Sequence, residues 1–297
     1  AGGAHSSALP TDSTVRCWGR GDEAQLGDRA TIARPTPVAV LEPHVIGSVG
    51  QVAAGDSHTC ALSGHGVISC WGNNVSGQLG VGTTTDRLTP GQLAGVTGAT
   101  AIAAGNSHTC AVLADSSVAC WGYNGSGQLG DGTTTDRVDP VPVTGLTGAT
   151  ALTAGTGHTC ALLADGSVTC WGFNGFGQLG DGTNTNRTSP TPVTGITTAT
   201  RLTAGGSHTC ALLTDGTTSC WGRNTSGQLG DGTTTNRTSP VPVTGITTAT
   251  SLTAGYGHTC ALLTDQTLRC WGQNGSGQVG NGTASNTSYP SAVVLTR

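Results

Sequence analysis

HTCALLADGSVTCWG, residues 158–172, sets two runs of small and apolar residues on either side of an Asp-Gly turn. Strand-forming runs flanking such a turn predict a β-hairpin. The stretch then returns along the chain, with its tryptophan at Trp18, Trp71, Trp121, Trp171, Trp221 and Trp271. A period of this length identifies a repeat array. Opposed positions in a hairpin have a constant residue sum, so a turn centred on Asp165 sets Cys160 directly across from Cys170. Opposed Cα atoms lie about 4.5–5.5 Å apart in antiparallel pairs, within disulfide range. The same spacing pairs Cys60 with Cys70, Cys110 with Cys120, Cys210 with Cys220 and Cys260 with Cys270. The eleventh cysteine, Cys17, has Ser7 where the other copies have its partner, which leaves a free thiol.

Aligned on the Ala-Gly that precedes each histidine, the repeats run 1–53, 54–103, 104–153, 154–203, 204–253 and 254–297. The fourth contains four short strands: His158 to Leu163, Ser167 to Trp171, a proline-bearing edge strand from Ser189 to Thr194, and Ala199 to Thr203, which feeds the next Ala-Gly turn. A long polar loop, GFNGFGQLGDGTNTNRT, links hairpin to edge strand. Four strands per unit, recurring in six repeats, predict an all-β fold, a six-bladed β-propeller forming one domain over 1–297. Alternation puts Cys160, Leu162, Val168 and Cys170 on one sheet face and Thr159, Ala161, Thr169 and Trp171 on the other. Both faces suit a blade sandwiched between neighbours, with the Trp expected to face the next blade.

The pattern GxxHTCALLxDGSVxCWGxNxxGQLGDGTTTxRxxPxPV resembles the repeat of the RCC1 (regulator of chromosome condensation) family. His158, Trp171, Gly172, Gly177, Gln178, Leu179, Gly180, Asp181 and Pro190 carry the resemblance, and it extends over nearly the whole chain. It implies a propeller whose blades are circularly shifted from these repeats, and a function in protein binding. Family members include a nuclear exchange factor for a small GTPase and a secreted bacterial inhibitor of β-lactamases. The cysteine pairs and the absence of lysine set this chain apart from the nuclear member, and the secreted style is the closer analogue, although that inhibitor's blades are shorter and lack this Cys pair.

Composition narrows the function classes. The formal net charge is -4, only 9% of residues are charged, and every basic residue is arginine. Nucleic-acid binding draws on clustered Lys and Arg, so it is not expected. No apolar run is long enough for membrane insertion. Five disulfides place the chain in an oxidising, secreted or extracellular setting. No cofactor is implied.

Repeated residues are read as scaffold. His5, His58, His108, His158, His208 and His258 share one repeat position, and each is expected to bond within its own blade rather than converge on a metal. Gly130 to Arg137, GDGTTTDR, lacks the order of a calcium loop; its Asp is expected to cap a turn and pair with Arg137, as at Arg34, Arg87, Arg187 and Arg237. Catalysis needs one unique constellation, which uniform repetition does not provide, so no enzyme activity is expected.

Specificity is expected where copies differ. Alternating strand direction brings the Ala-Gly-x-x-His turn and the long loop to the same face. Arg20, Asp22, Glu23, Asp56, Asn106, Tyr123, Phe173, Phe176, Arg223 and Tyr256 collect there. Aromatic and Arg side chains anchor protein interfaces, so this face is the candidate protein-binding surface. A secreted enzyme inhibitor is an alternative use of it. The ends suggest another: five inner strands serve six blades, so either Val293 to Thr296 closes blade one, or its open inner edge accepts a strand from another chain. Self-assembly into an oligomer or fibre, locked through Cys17, would follow. Eight N-x-S/T triplets from Asn74 to Asn286 make glycan attachment possible.

Overall fold

In the computed structural model, which describes residues 2–11, 14–41 and 48–294, the chain is an all-β propeller of six sheets. Blade four shows how the sequence builds each one. Its strands are Ala149–Ala154, His158–Leu163, Val168–Gly172 and Arg187–Pro192, hydrogen-bonded in chain order. The hairpin has the expected register, with Cys160 opposite Cys170 and Thr159 opposite Trp171. All five cysteine pairs are disulfides, with Cα–Cα distances of 4.1 Å. The edge strand begins two residues earlier than expected from its prolines, because Arg187 pairs with Gly172 across a bulge. First strands of successive blades pack on one another along the axis. Since that inner strand lies at the end of the preceding sequence repeat, blades and repeats differ by a circular shift.

The core lies between blades. Between blades four and five, Cys160, Leu162, Val168, Cys170, Leu179, Val193 and Ile196 meet Ala199, Ala211 and Trp221. Trp71, Trp121, Trp171, Trp221 and Trp271 therefore each face the preceding blade, not the next as expected from the sequence, and the disulfide face meets the following one. Trp71, Trp121, Trp171, Trp221 and Trp271 are fully buried. An indole removes on the order of 200 Å² from water, an upper bound of roughly 5 kcal/mol each. Close approach at this wedge demands glycine: Gly180 has φ 68°, and a Cβ there would lie 2.8 Å from Trp221 Nε1.

Blade one has three strands, His5–Ala8, Arg16–Gly19 and Arg34–Ala39. Among the described residues no strand lies inside His5–Ala8. Val293 and Val294 do not turn toward it; their amides donate to Leu268 and Gly280 carbonyls of blade six. The remainder of the expected closing tail, 295–297, lies outside the described residues.

Candidate functional site on the loop-rich face

The loop after each Trp-Gly is organised by an asparagine that sequence reasoning passed over as part of a polar stretch. Asn174 is fully buried. Its Nδ2 donates to the Thr183 and Thr185 carbonyls at 3.0 and 3.1 Å, and its Oδ1 accepts from Leu179 N at 3.0 Å. Gln178 Oε1 accepts from Phe176 N at 3.0 Å. The Asp-Arg pair closes the loop: Arg187 donates to Asp181 Oδ2 from Nε at 2.8 Å and Nη2 at 2.7 Å, while Asp181 Oδ1 caps Thr183 N. Burial works against the Asp181 charge, but bonds from Thr183 and Arg187 hold its carboxyl below the ordinary value. The expected capping and pairing thus occur at Asp28–Arg34, Asp131–Arg137, Asp181–Arg187 and Asp231–Arg237. Repeat two has Val81 in place of the Asp, so Arg87 has no such carboxylate in its own loop.

The histidines bond across blades rather than within them, which corrects the sequence expectation. His108 Nε2 lies 2.9 Å from Thr159 Oγ1, and Thr159 donates its only proton to the Gln128 carbonyl at 2.9 Å. The imidazole must then be the donor, so Nε2 carries its proton and Nδ1 is bare. Trp171 Nε1 donates to the same Gln128 carbonyl at 2.9 Å. The staple recurs for His5, His58, His158 and His208. Nδ1 of these five histidines is buried without a partner. A protein interior disfavours the charged imidazolium. Burial accordingly lowers His58, His158 and His208 to about 3 and His5 and His108 to about 4. Neutral, separately bonded rings fit a structural role. Among the described residues no cluster of three or more potential metal ligands occurs.

The two loop types do meet on one face: Phe173 N donates to Gly157 O, and Tyr123 N to Ser107 O. Of the varying residues, the structure joins four into a strip across blades four to six. Phe173 and Phe176 stack edge-on with centroids 6.0 Å apart, and the Arg223 guanidinium lies 5.2 Å over Phe176. Arg223 then lines a cleft of about 130 Å³ with Ser207, Gln228, Tyr256 and Gln273. Tyr256 is 69% exposed. Such an aromatic–cation strip offers both apolar area and a charge for a partner. Tyr123 stands apart, exposed above Gly125. Arg20 pairs with Asp22 at 2.6 Å. Asp56 and Asn106 are exposed, with their turns joined by a 3.4 Å backbone bond.

Cys17 is unpaired and fully buried, and Ser7 Oγ lies 2.6 Å from its sulfur. Burial pushes its thiol up to about 12, so the expected covalent lock between subunits has no accessible thiolate to form it. Glycan attachment is also narrowed. Asn74, Asn124, Asn224 and Asn274 are fully buried, with their amide nitrogens donated inside the loops. Asn186, Asn236 and Asn286 are exposed.

A family model described as the RCC1-like domain matches residues 1–297. The ultraviolet-B receptor UVR8 of Arabidopsis thaliana is 38% identical over 84 residues, 28% of this chain and 19% of that protein. The human E3 ubiquitin-protein ligase HERC2 is 35% identical over 91 residues, 30% of this chain and 2% of that protein. The matched segments are thus small parts of these relatives. Yeast RCC1 (Prp20), solved bound to Kap60, superposes with a TM-score of 0.90 at 24% identity, covering 100% of this chain and 74% of that one. The ectodomain of the Physcomitrella patens receptor kinase CR4 aligns over 91% of this chain and 61% of its own, at 27% identity and a TM-score of 0.56.

Proposed function

Because the chain belongs to the RCC1-like domain family, a common protein-interaction scaffold, we propose that it is a non-catalytic binding module of an oxidising, extracellular compartment that captures a protein partner on its loop-rich face. The continuous strip Phe173, Phe176, Arg223 and Tyr256 carries this reading. Interface energy concentrates in aromatic and arginine anchors, and these four occupy loop positions where the repeats differ while the loop skeleton stays the same. The disulfides support the compartment, since such bridges persist where thiols are not kept reduced.

The test is site-specific photo-crosslinking. A photoreactive residue at position 256 captures the partner, and one at position 197, on the opposite Asp-Gly-turn face, does not. Phe176→Ala combined with Arg223→Ala abolishes capture while the unfolding midpoint stays near that of the parent. Capture from position 197 alone would refute the assignment of this face.

A further inference from the structure

The loop-rich face repeats one kind of junction between neighbouring loops, and blade one shows what that junction can hold. Glu23 reaches across it to blade two, where Asn73 Nδ2 donates to Glu23 Oε2 at 3.0 Å. Arg20 lies beside the same carboxylate, with Nη2 4.0 Å from Oε1, and pairs more closely with Asp22 at 2.6 Å. A carboxylate supplied by the chain itself thus sits between an arginine of one loop and an amide of the next.

The junction between blades five and six keeps this frame and lacks the acid. Counted from the Trp-Gly that opens each loop, Arg223 stands where Arg20 does, and in the following loop Gln273 stands where Asn73 does. Thr225 and Ser226 replace Asp22 and Glu23. Where Glu23 reaches in blade one, the short Ser226 leaves the cleft of about 130 Å³ beside Tyr256, roughly the size of a cavity that takes one benzene. Arg223 Nε donates to Thr225 Oγ1 at 3.0 Å, and among the described residues no carboxylate pairs with its guanidinium. Asp181 and Asp231, the carboxylates of the adjoining loops, are bound to Arg187 and Arg237. A second donor in the cleft is also unmet. Gln228 is only 3% exposed, and its Oε1 accepts from Ser226 N at 2.9 Å, which leaves Nε2 without an acceptor among the described residues. In blade two the matching Gln78 Nε2 donates to Asn73 Oδ1 at 2.6 Å. Arg223 holds that position in blade five, and a guanidinium has no acceptor to offer.

We infer that this cleft, on the face already assigned to partner binding and dependent on that reading, is a carboxylate receptor that holds an Asp or Glu side chain on an acidic segment of the protein partner. Arg223 and the Gln228 amide nitrogen can only donate, and Ser207, Ser226 and Tyr256 add hydroxyls. A donor set carrying one formal positive charge calls for an anionic acceptor, and hydrogen bonds between charged groups are the strong ones. Phe173 and Phe176, on the other side of Arg223, offer an apolar shelf to the residue flanking the acid. The partner's carboxylate takes the place that Glu23 takes in blade one.

The probe is the capped peptide acetyl-Gly-Phe-Glu-Phe-Gly-amide, compared with the same peptide carrying Gln for Glu. Binding to the intact, disulfide-bonded protein is followed by the Arg223 Nε–H resonance, assigned by its loss in Arg223→Gln. The Glu peptide should move that resonance saturably, and the Gln peptide should bind at least about tenfold more weakly. Ser226→Glu, which supplies the blade-one carboxylate internally, should shift the resonance in the free protein and abolish the peptide's effect, whereas Ser226→Ala should retain it. No saturable response to the Glu peptide, or equal binding of the Gln peptide, overturns the receptor. Displacement of the Glu peptide by inorganic phosphate at lower concentration than by acetate overturns it in favour of a phosphate site. Photo-crosslinking from position 256 separates the two readings. Partner capture undiminished in Ser226→Glu overturns the anchor and leaves the binding face standing. A parent protein that binds the Glu peptide yet captures no partner from position 256 overturns the face and leaves the carboxylate site standing.

Discussion

Acid should dismantle this propeller well above the range in which its carboxylates titrate. His5, His58, His108, His158 and His208 are held neutral by burial, at about 3 to 4 against an ordinary 6.5. A base whose folded value is depressed contributes full stability above its unfolded value, and that contribution falls as pH drops from 6.5 toward the folded value. At pH 5 the unfolded imidazole has gained about 1.5 pH units of proton binding that the folded one has not, or about 2 kcal/mol. Five such groups total on the order of 10 kcal/mol, comparable with the entire stability of many domains. The lowered carboxyls, such as Asp131 and Asp181, act only below their ordinary range near 4. The assay is denaturant unfolding followed by tryptophan fluorescence from pH 7.5 to 5, with disulfides intact. Unfolding near pH 5.5 should take up close to five protons, and His158→Gln should take up one fewer. A midpoint flat between pH 7.5 and 5 would refute both the neutral tautomers and the cross-blade staple.

Other outcomes follow from single contacts. Thr159→Val removes the acceptor of His108 Nε2 inside a buried wedge, and an unsatisfied buried donor should lower stability by about 1–3 kcal/mol in the same unfolding assay. Ser7→Cys places a thiol opposite Cys17 in the register of the other bridges; a sixth disulfide should form on oxidation, detected by peptide mapping, and add up to about 3 kcal/mol. In the parent protein Cys17 should resist thiol reagents until denaturant is added, because it is fully buried. Expressed in a glycosylating host, the chain should carry no glycan at Asn74, Asn124, Asn224 or Asn274 by mass spectrometry, since each amide nitrogen is enclosed by its loop.

What the sequence determined by itself is local to one repeat. Hairpin register follows from a turn position and strand alternation, so Cys160 opposite Cys170 and the division of residues between two faces could be read directly. The repeat period, the disulfides and the face collecting the variable loops were legible for the same reason. Contacts between repeats were not. A bond from His108 to Thr159 of the next blade and a bond from His108 to Thr109 of its own leave the same periodic pattern, because every repeat supplies both residues. The same degeneracy hid which neighbour each tryptophan enters. Asn174 looked like one polar loop residue among many, and only the closed loop shows it enclosed with its donors used. Periodicity fixes what each blade is made of, and tertiary packing alone breaks the symmetry between the blade before and the blade after.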